Sequence, residues 1–529
     1  MLILQDISYI HSDKEPLFDA INFSVGTREK VSVIGNNGTG KSTLLKIIAG
    51  ELAATSGHLV LDARPYYVPE IVGRHDHLTV AQALRVDKKL QTLNSVLAGS
   101  ADESALSRIA DSDWTLERRI AEAFDYWHLG DADLSHRMSA LSGGEKTKVL
   151  LAGMSVHRPD FILLDEPGNH LDFTGRGLLY DFVEAARETM IIVSHDRKLL
   201  NLLSPTCELR RHGISVYGGN YDFYAAQKRI KTDAMVQAIH GRERMVKKAR
   251  EKQRETAQRR QRMDSRGKRK QVKAGLPKVM MNAMRNRAER STSKMKSVHE
   301  GKIEGIENEL LELRSALPDA GRMKLGFSDS LLHRGKVLFS AENMNFGYGK
   351  GLLWKEGLCL ELRSGERVEL RGANGSGKTT LINIIIGNLE PRLGRVHRAL
   401  TMPMYVDQNY SLINDGLTVY EQAAGFSGSS LEEHEIKTRL DRFLFSRDRW
   451  GLSCGSLSGG ERMRLTLCCL TLSPIPPDLI LLDEPTNNLD MGSMEILVGA
   501  INDYRGALIV VSHDDYFLGR VRAERTISL

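Results

Sequence analysis

The pattern G-x-x-x-x-G-K-S/T occurs twice in this chain. The first copy is Gly35-Asn36-Asn37-Gly38-Thr39-Gly40-Lys41-Ser42, followed by Thr43. The second is Gly372-Ala373-Asn374-Gly375-Ser376-Gly377-Lys378-Thr379, followed by Thr380. Glycines let the backbone turn tightly enough for successive N–H groups to surround phosphates. The lysine reaches the outer phosphates, and the Ser or Thr hydroxyl holds Mg²⁺. Each copy precedes the same later motifs in the same order. The chain therefore reads as two tandem nucleotide-binding domains, each taking one ATP.

The spacing supports a repeat. Lys41 and Lys378 are 337 residues apart, whereas Asp165 and Asp483, and likewise His195 and His513, are 318 apart. The first copy thus carries 19 extra residues between its phosphate loop and Asp165. They fall between Glu70 and Leu141, in a polar stretch read as a surface helical insertion over about 85–120.

Short apolar runs precede the motifs. Lys30–Ile34 leads into the first loop, and a helix begins at Ser42. Phe161–Leu164 and Leu479–Leu482 end in acids; Met190–Val193 and Ala507–Val511 end in Ser-His-Asp. Continuous apolar runs of this length suit strands buried on both faces. Alternating strands and helices predict an α/β class with mainly parallel sheets. At 529 residues the chain divides into two such domains and a connector. The boundaries read as 1–222, 223–336 and 337–529.

The connector is chemically distinct. Lys228 to Lys302 holds 25 Lys/Arg and 7 Asp/Glu, net +18, in a chain of net +6. The remainder therefore carries −12. Ile230–Met263 is nearly free of helix breakers, and Ile303, Ile306, Leu310, Leu313 and Leu317 recur at helical steps. Ser265-Arg266-Gly267 and Ala274-Gly275-Leu276-Pro277 interrupt the pattern. The reading is a long antiparallel helical hairpin with a basic tip. Each helix, at roughly 35 residues, would span about 50 Å. The alternative is a charged linker without fixed structure, which the apolar stripe of the return helix disfavours. From Ala225 to Gly326 there is no Phe, Tyr or Trp, so base stacking is not offered. Phosphate contacts on folded RNA suit such a surface.

No run of about 20 apolar residues suggests a membrane span, and the first residues lack the pattern of a signal peptide. The five cysteines form no C-x-x-C pair, so neither zinc nor a disulfide framework is suggested and a reducing cytoplasm is expected.

The later motifs are Leu141-Ser142-Gly143-Gly144-Glu145, Leu164-Asp165-Glu166-Pro167, Asn169-His170-Leu171-Asp172 and Ser194-His195-Asp196. The second copy has Leu457-Ser458-Gly459-Gly460-Glu461, Leu482-Asp483-Glu484-Pro485, Asn487-Asn488-Leu489-Asp490 and Ser512-His513-Asp514. Together these resemble ATP-binding-cassette ATPases over nearly the whole chain except the connector. Asp165 and Asp483 are placed to hold the Mg²⁺ shell with Ser42 and Thr379. Glu166 and Glu484 are placed to polarise the attacking water, and His195 and His513 to orient it at the γ-phosphate. The resemblance implies that each serine motif completes the opposite site. Lys41, Asp165, Glu166 and His195 would pair with Ser458 and Gly460; Lys378, Asp483, Glu484 and His513 would pair with Ser142 and Gly144.

The two copies differ. The family's metal-side glutamine is Gln408 in the second copy and Glu70 in the first. The adenine-stacking aromatic is Tyr348 in the second, where the first has His11. Gly168 replaces the usual Thr. Two unequal sites, or neutral variation, both account for this.

Two fused cassettes with a basic connector, preceded by Tyr217-Gly218-Gly219-Asn220-Tyr221, resemble the bacterial ABC-F proteins. That resemblance implies an ATPase acting on the ribosome as a translation factor, with its connector near the peptidyl-site tRNA and contacts to rRNA. A role in antibiotic resistance belongs to the same family. The chain would work as a monomer with its cassettes paired. The alternative is an ATPase subunit energising a separate membrane permease. A DNA-repair cassette ATPase fits less well, since those carry zinc modules or very long coiled coils.

Overall fold

The structure, a computed structural model, describes residues 1–11, 16–70, 73, 75–98, 114–130, 132–273, 297, 301–314, 333, 335–349, 351–373, 375–400, 402–428, 431–487 and 489–529. It forms two compact units: Met1–Tyr224 with Met323–Leu529, and Ala225–Arg322. The first unit holds both cassettes.

In the first cassette a six-stranded sheet runs in the order Tyr66–Val68, Phe161–Asp165, Thr189–Val193, Lys30–Ile34, Thr206–Arg210, Gly213–Tyr217. All neighbours are parallel except the last pair. The second cassette has five parallel strands: Pro403–Val406, Leu479–Asp483, Ala507–Val511, Arg367–Arg371, Arg525–Ser528. Each cassette adds a three-stranded antiparallel sheet, centred on Leu2–Ile10 or Val337–Asn345.

The apolar runs are buried on both sheet faces. Ile480, Leu482, Leu508 and Val510 enter one core cluster, while Leu479, Leu481, Ala507, Ile509 and Val511 enter another. Side chains alternate across a strand, so a run apolar at every position has to pack on both sides. The strands carry their motifs on the loops just beyond their C-terminal ends, where parallel α/β sheets place binding residues.

The second unit pairs two helices. Ile239 and Leu310 pack together, with Met235, Val236 and Leu313 around them. Arg242 reaches Glu309 at 3.0 Å, Arg250 reaches Glu307 at 2.7 Å, and Arg314 reaches Glu243 at 2.6 Å. Arg242 and Glu243 meet Glu309 and Arg314, whereas Arg250, further along the outgoing helix, meets the earlier Glu307, so the pair is antiparallel. These exposed ion pairs contribute only about 0–1 kcal/mol each, which leaves the apolar stripe to set the register.

One expectation needs correction. Ser265-Arg266-Gly267 does not interrupt the outgoing helix, which runs unbroken over Tyr221–Lys273, 53 residues rather than roughly 35. A single glycine inside a helix costs about 1 kcal/mol relative to alanine and does not by itself end it. The expected break at Ala274-Gly275-Leu276-Pro277, and also Leu317, Asn374 and Asn488, lie outside the described residues. Of the insertion over about 85–120, helix Asp87–Leu97 and the start of helix Leu116–Tyr126 are described, whereas 99–113 lie outside. No described helix is long and apolar enough to cross a membrane.

Candidate active site

Both phosphate loops close directly onto helices, Lys41–Ile48 and Lys378–Ile386. Gly40 and Gly377 cap them in left-handed backbone, φ 93° and 96°. A Cβ at Gly40 would stand 2.7 Å from Phe18, and one at Gly377 would stand 2.5 Å from Leu353. Glycine is thus required twice over, for conformation and for space. Lys41 Nζ donates to the carbonyls of Gly35 and Asn36 at 2.8 and 3.2 Å. Lys378 Nζ donates to those of Gly372 and Ala373 at 2.7 and 3.1 Å. Burial pushes the pKa of both lysines down.

The acidic pairs sit at strand ends. Glu166 and Glu484 have φ 48° and 49°, an uncommon conformation for a non-glycine residue. It is held by a hydrogen bond from each backbone N–H to the carbonyl of Val193 or Val511, both 2.8 Å. His195 Nε2 lies 3.3 Å from Glu166 Oε1, and His513 Nε2 lies 3.4 Å from Glu484 Oε1. Burial pushes Glu484 up to about 7, against the opposing charge of Arg176; Glu166 is raised by the same cause, opposed by Lys41. Burial pushes His513 down to about 4 and lowers His195 likewise. Both imidazoles are therefore neutral near pH 7.

Asp165 accepts from Tyr67 Oη at 3.2 Å and from the Ser42 side chain. Asp483 accepts from Tyr405 Oη at 3.0 Å and from Thr379 Oγ1 at 3.4 Å. Asp165 Oδ1 is buried with no hydrogen-bond partner. Burial, assisted by the charge of Glu70, pushes Asp165 up to about 6.

The two cassettes share their cavities. A cavity of about 590 Å³ is lined by Tyr348, Gly375, Gly377, Lys378, Thr379, Thr380, Gln408, Asp483, Glu484 and His513, and across the interface by Ser142, Gly143, Gly144 and Arg176. Its counterpart, about 380 Å³, is lined by His11, Asn37, Gly38, Gly40, Lys41, Ser42, Thr43, Glu70, Asp165, Glu166 and His195, with Gly459 from the opposite cassette. Ser142 begins helix Gly143–His157, and its motif is a capping box in which the Ser142 N–H donates to Glu145 at 2.8 Å. The spacing S-x-x-E carries that signature.

Not every expected residue reaches a cavity. Ser458 is exposed and donates its N–H to Glu461 at 2.9 Å. Gly460 is buried, its Cβ position 2.4 Å from Ser493 Oγ. Only Gly459 of that motif lines the first cavity. Gly35, Asn36 and Thr39 do not line that cavity; the Gly35 and Asn36 carbonyls accept from Lys41 Nζ, and Thr39 Oγ1 donates to the Asn36 carbonyl at 2.9 Å. Gly372 and Ala373 line a neighbouring cavity beside Asp172 and Ser512. Ser376 donates no side-chain hydrogen bond, but its carbonyl accepts from Trp354 Nε1 at 3.0 Å. Tyr348 is 74% exposed, with its hydroxyl 2.9 Å from Thr380 Oγ1.

Two residues in these sites escape motif reading. Asp490 accepts the Asn37 N–H at 3.0 Å across the interface; its motif is visible in sequence, but its target is not. Arg176 lies on a helix with no motif of its own.

A family model described as ABC transporter matches residues 18–169 and 356–487. The ATP-binding protein Uup of Haemophilus influenzae is 30% identical, over 98% of this chain and 77% of that protein. The chain belongs to the ABC-F family. It is an ATPase of the ATP-binding-cassette type. Another ABC-F relative, ABC transporter F family member 5 of Arabidopsis thaliana, is 28% identical over 95% of this chain and 71% of its own length. The fold is shared with solved tandem cassettes. The archaeal ribosome recycling factor aABCE1, in complex with a ribosomal stalk protein, has a TM-score of 0.61 at 20% identity, covering 99% of this chain and 87% of that one. A model of ribosome-bound archaeal Pelota and ABCE1 has a TM-score of 0.57 at 20% identity, covering 97% and 74%.

Proposed function

We propose that this ABC-F ATPase closes its two cassettes on two ATP molecules and uses that cycle on the ribosome, as a translation factor in the cytoplasm. The observation that carries the ribosome reading is the antiparallel, aromatic-free hairpin within a segment of net +18. Such a surface suits rRNA and tRNA phosphates. The likeness to the recycling factor supports the architecture alone. A resistance role belongs to the same reading, as do the domain limits 1–222, 223–336 and 337–529.

In each site the lysine and loop amides would grip the β- and γ-phosphates. The glutamate carboxylate accepts a proton from water as the water oxygen attacks the γ-phosphorus and the bond to the β–γ bridging oxygen breaks, yielding ADP and phosphate. A carboxylate whose pKa lies near neutrality suits that proton transfer. The histidine's backbone N–H holds the carboxylate from one side, His195 donating to Glu166 Oε2 at 3.2 Å and His513 to Glu484. Ser42 with Asp165, and Thr379 with Asp483 and Gln408, would hold Mg²⁺. Among the described residues no group of three or more His, Cys, Asp or Glu is spaced to hold a metal by itself. A hydroxyl and a strand-end carboxylate with an unpartnered oxygen, as at Asp165, fit Mg²⁺ whose remaining ligands are phosphate oxygens and water. The ion would neutralise charge on those phosphates. Ser142 and its helix N-terminus would face the nucleotide of the second site, and Gly459 that of the first.

The test is a sucrose gradient of cell lysate with a non-hydrolysable ATP analogue. Co-sedimentation with ribosomes is expected; recovery with membranes would favour an ATPase energising a separate permease.

A further inference from the structure

Arg176 belongs to the first cassette yet lines the second nucleotide cavity. It lies one turn into helix Phe173–Ala185, whose N-cap is Asp172. Its Nε donates to the Leu171 carbonyl at 3.3 Å, which fixes the base of the guanidinium. Its Nη1 donates to the backbone carbonyl of His513, in the other cassette, at 3.4 Å. The same Nη1 stands 3.8 Å from Asp196 Oδ2, and both side chains are only 11–12% exposed. Asp196 is held in turn by Tyr180 Oη at 2.5 Å. The guanidinium therefore sits between two Ser-His-Asp turns, touching the acid beside His195 and the carbonyl of His513 itself.

The repeat offset of 318 that carries Asp172 onto Asp490 carries Arg176 onto Met494. Met494 is 1% exposed and bears no charge. The first site thus receives no such cation from its opposite helix.

We propose that Arg176 is a positioning residue supplied by the first cassette to the second nucleotide site, where it holds the His513 turn against Glu484 and ties it to the turn bearing His195. The inference rests on reading that cavity as an ATP site. It makes turnover at the second site depend on cassette pairing, and it makes the two histidine turns move together. A planar guanidinium with several fixed donors can bridge a carboxylate and a carbonyl, whereas an ammonium is a point charge.

The test uses the full chain with R176M, which places the second copy's own residue at this position, R176K, and K378A as reference. Steady-state ATPase kinetics are measured beside equilibrium binding of a fluorescent ATP analogue. R176M is expected to lower kcat about tenfold with KM within about twofold, as loss of a group acting after binding does. R176K is expected to recover part of kcat, and it reads the same point should R176M fold poorly. Parental kcat in R176M overturns the inference. So does a change confined to KM, or an R176K enzyme no better than R176M. K378A should reduce bound nucleotide from two to one per chain. If it does so while R176M keeps parental kcat, only the role of Arg176 is lost. If K378A still binds two, the reading of the second cavity fails and the inference falls with it.

Discussion

The backbone N–H of Asn37, inside the first phosphate loop, donates to the Asp490 carboxylate of the opposite cassette at 3.0 Å. Asp490 also caps its own helix through the Ser493 N–H at 2.7 Å. One side chain thus joins a phosphate loop to the helix that follows the other cassette's Asn-x-Leu-Asp motif. Burial opposes its charge, but the hydrogen bonds from Asn37 and Ser493 outweigh burial and hold its pKa below the usual carboxylate range.

That balance sets a pH dependence. A carboxylate whose folded pKa is depressed stabilises the fold fully above its unfolded value, about 3.9 for Asp, and less as pH falls through the folded value. Asp490→Ala should lower the free energy of unfolding at neutral pH by about 1–3 kcal/mol for the lost bonds. The gap to the parent should close below about pH 4. Thermal unfolding across pH measures it; a gap that stays constant into acid would count against this role.

Glu166→Gln with Glu484→Gln should retain nucleotide binding while turnover falls by a factor of about 10²–10⁴, the range for a lost general base. Phosphate release and nucleotide binding are read side by side. Turnover within about tenfold of the parent would remove the water-activating role from both residues.

The sites should also be unequal. Glu70 adds a carboxylate beside Asp165 and Glu166, adding to the rise that burial causes in both, whereas the second cavity has Gln408 and receives Arg176. Glu484→Gln alone should therefore reduce turnover more than Glu166→Gln alone. Single-variant rates decide it, and equal losses would favour neutral variation.

Arg197 stands 3.4 Å over the Tyr516 ring and pairs with Glu495 at 2.8 Å, joining the turn after His195 to the second cassette. Arg197 is 15% exposed and Glu495 34%, so the pair is screened somewhat less than a fully exposed one. Arg197→Ala and Glu495→Ala should couple by about 0.5–3 kcal/mol in a double-mutant cycle on unfolding. Additive losses would show that the pair holds nothing together.

Changing Lys268, Arg269 and Lys270 to Ala should weaken ribosome co-sedimentation at moderate salt. It should also flatten the salt dependence by about one unit of slope per lost phosphate contact. Nucleotide binding should stay parental. Unchanged ribosome binding at every salt concentration would leave the connector a spacer.

The sequence alone determined the parts whose chemistry is local. A glycine loop ending in Lys41 or Lys378 specifies its own backbone. A strand apolar at every position, as at Leu479–Leu482, must be buried on both faces. Ser142 and Glu145 specify their helix start because a capping box spans four residues. Local signals failed where one residue was weighed without its neighbours: Gly267 read as a break, but the helix around it carried on. What only the tertiary structure decided were the relations across the cassette interface. Arg176 is an ordinary helical arginine in the sequence, and Asp490 an ordinary helix cap. Each gains its role only when a partner more than 300 residues away packs against it. The same packing chose Gly459, rather than Ser458, to line the first cavity. Spacing along the chain records which groups a segment carries. Which group meets the other cassette depends on how two folded surfaces fit, and that is set by the sum of many small contacts rather than by any one motif.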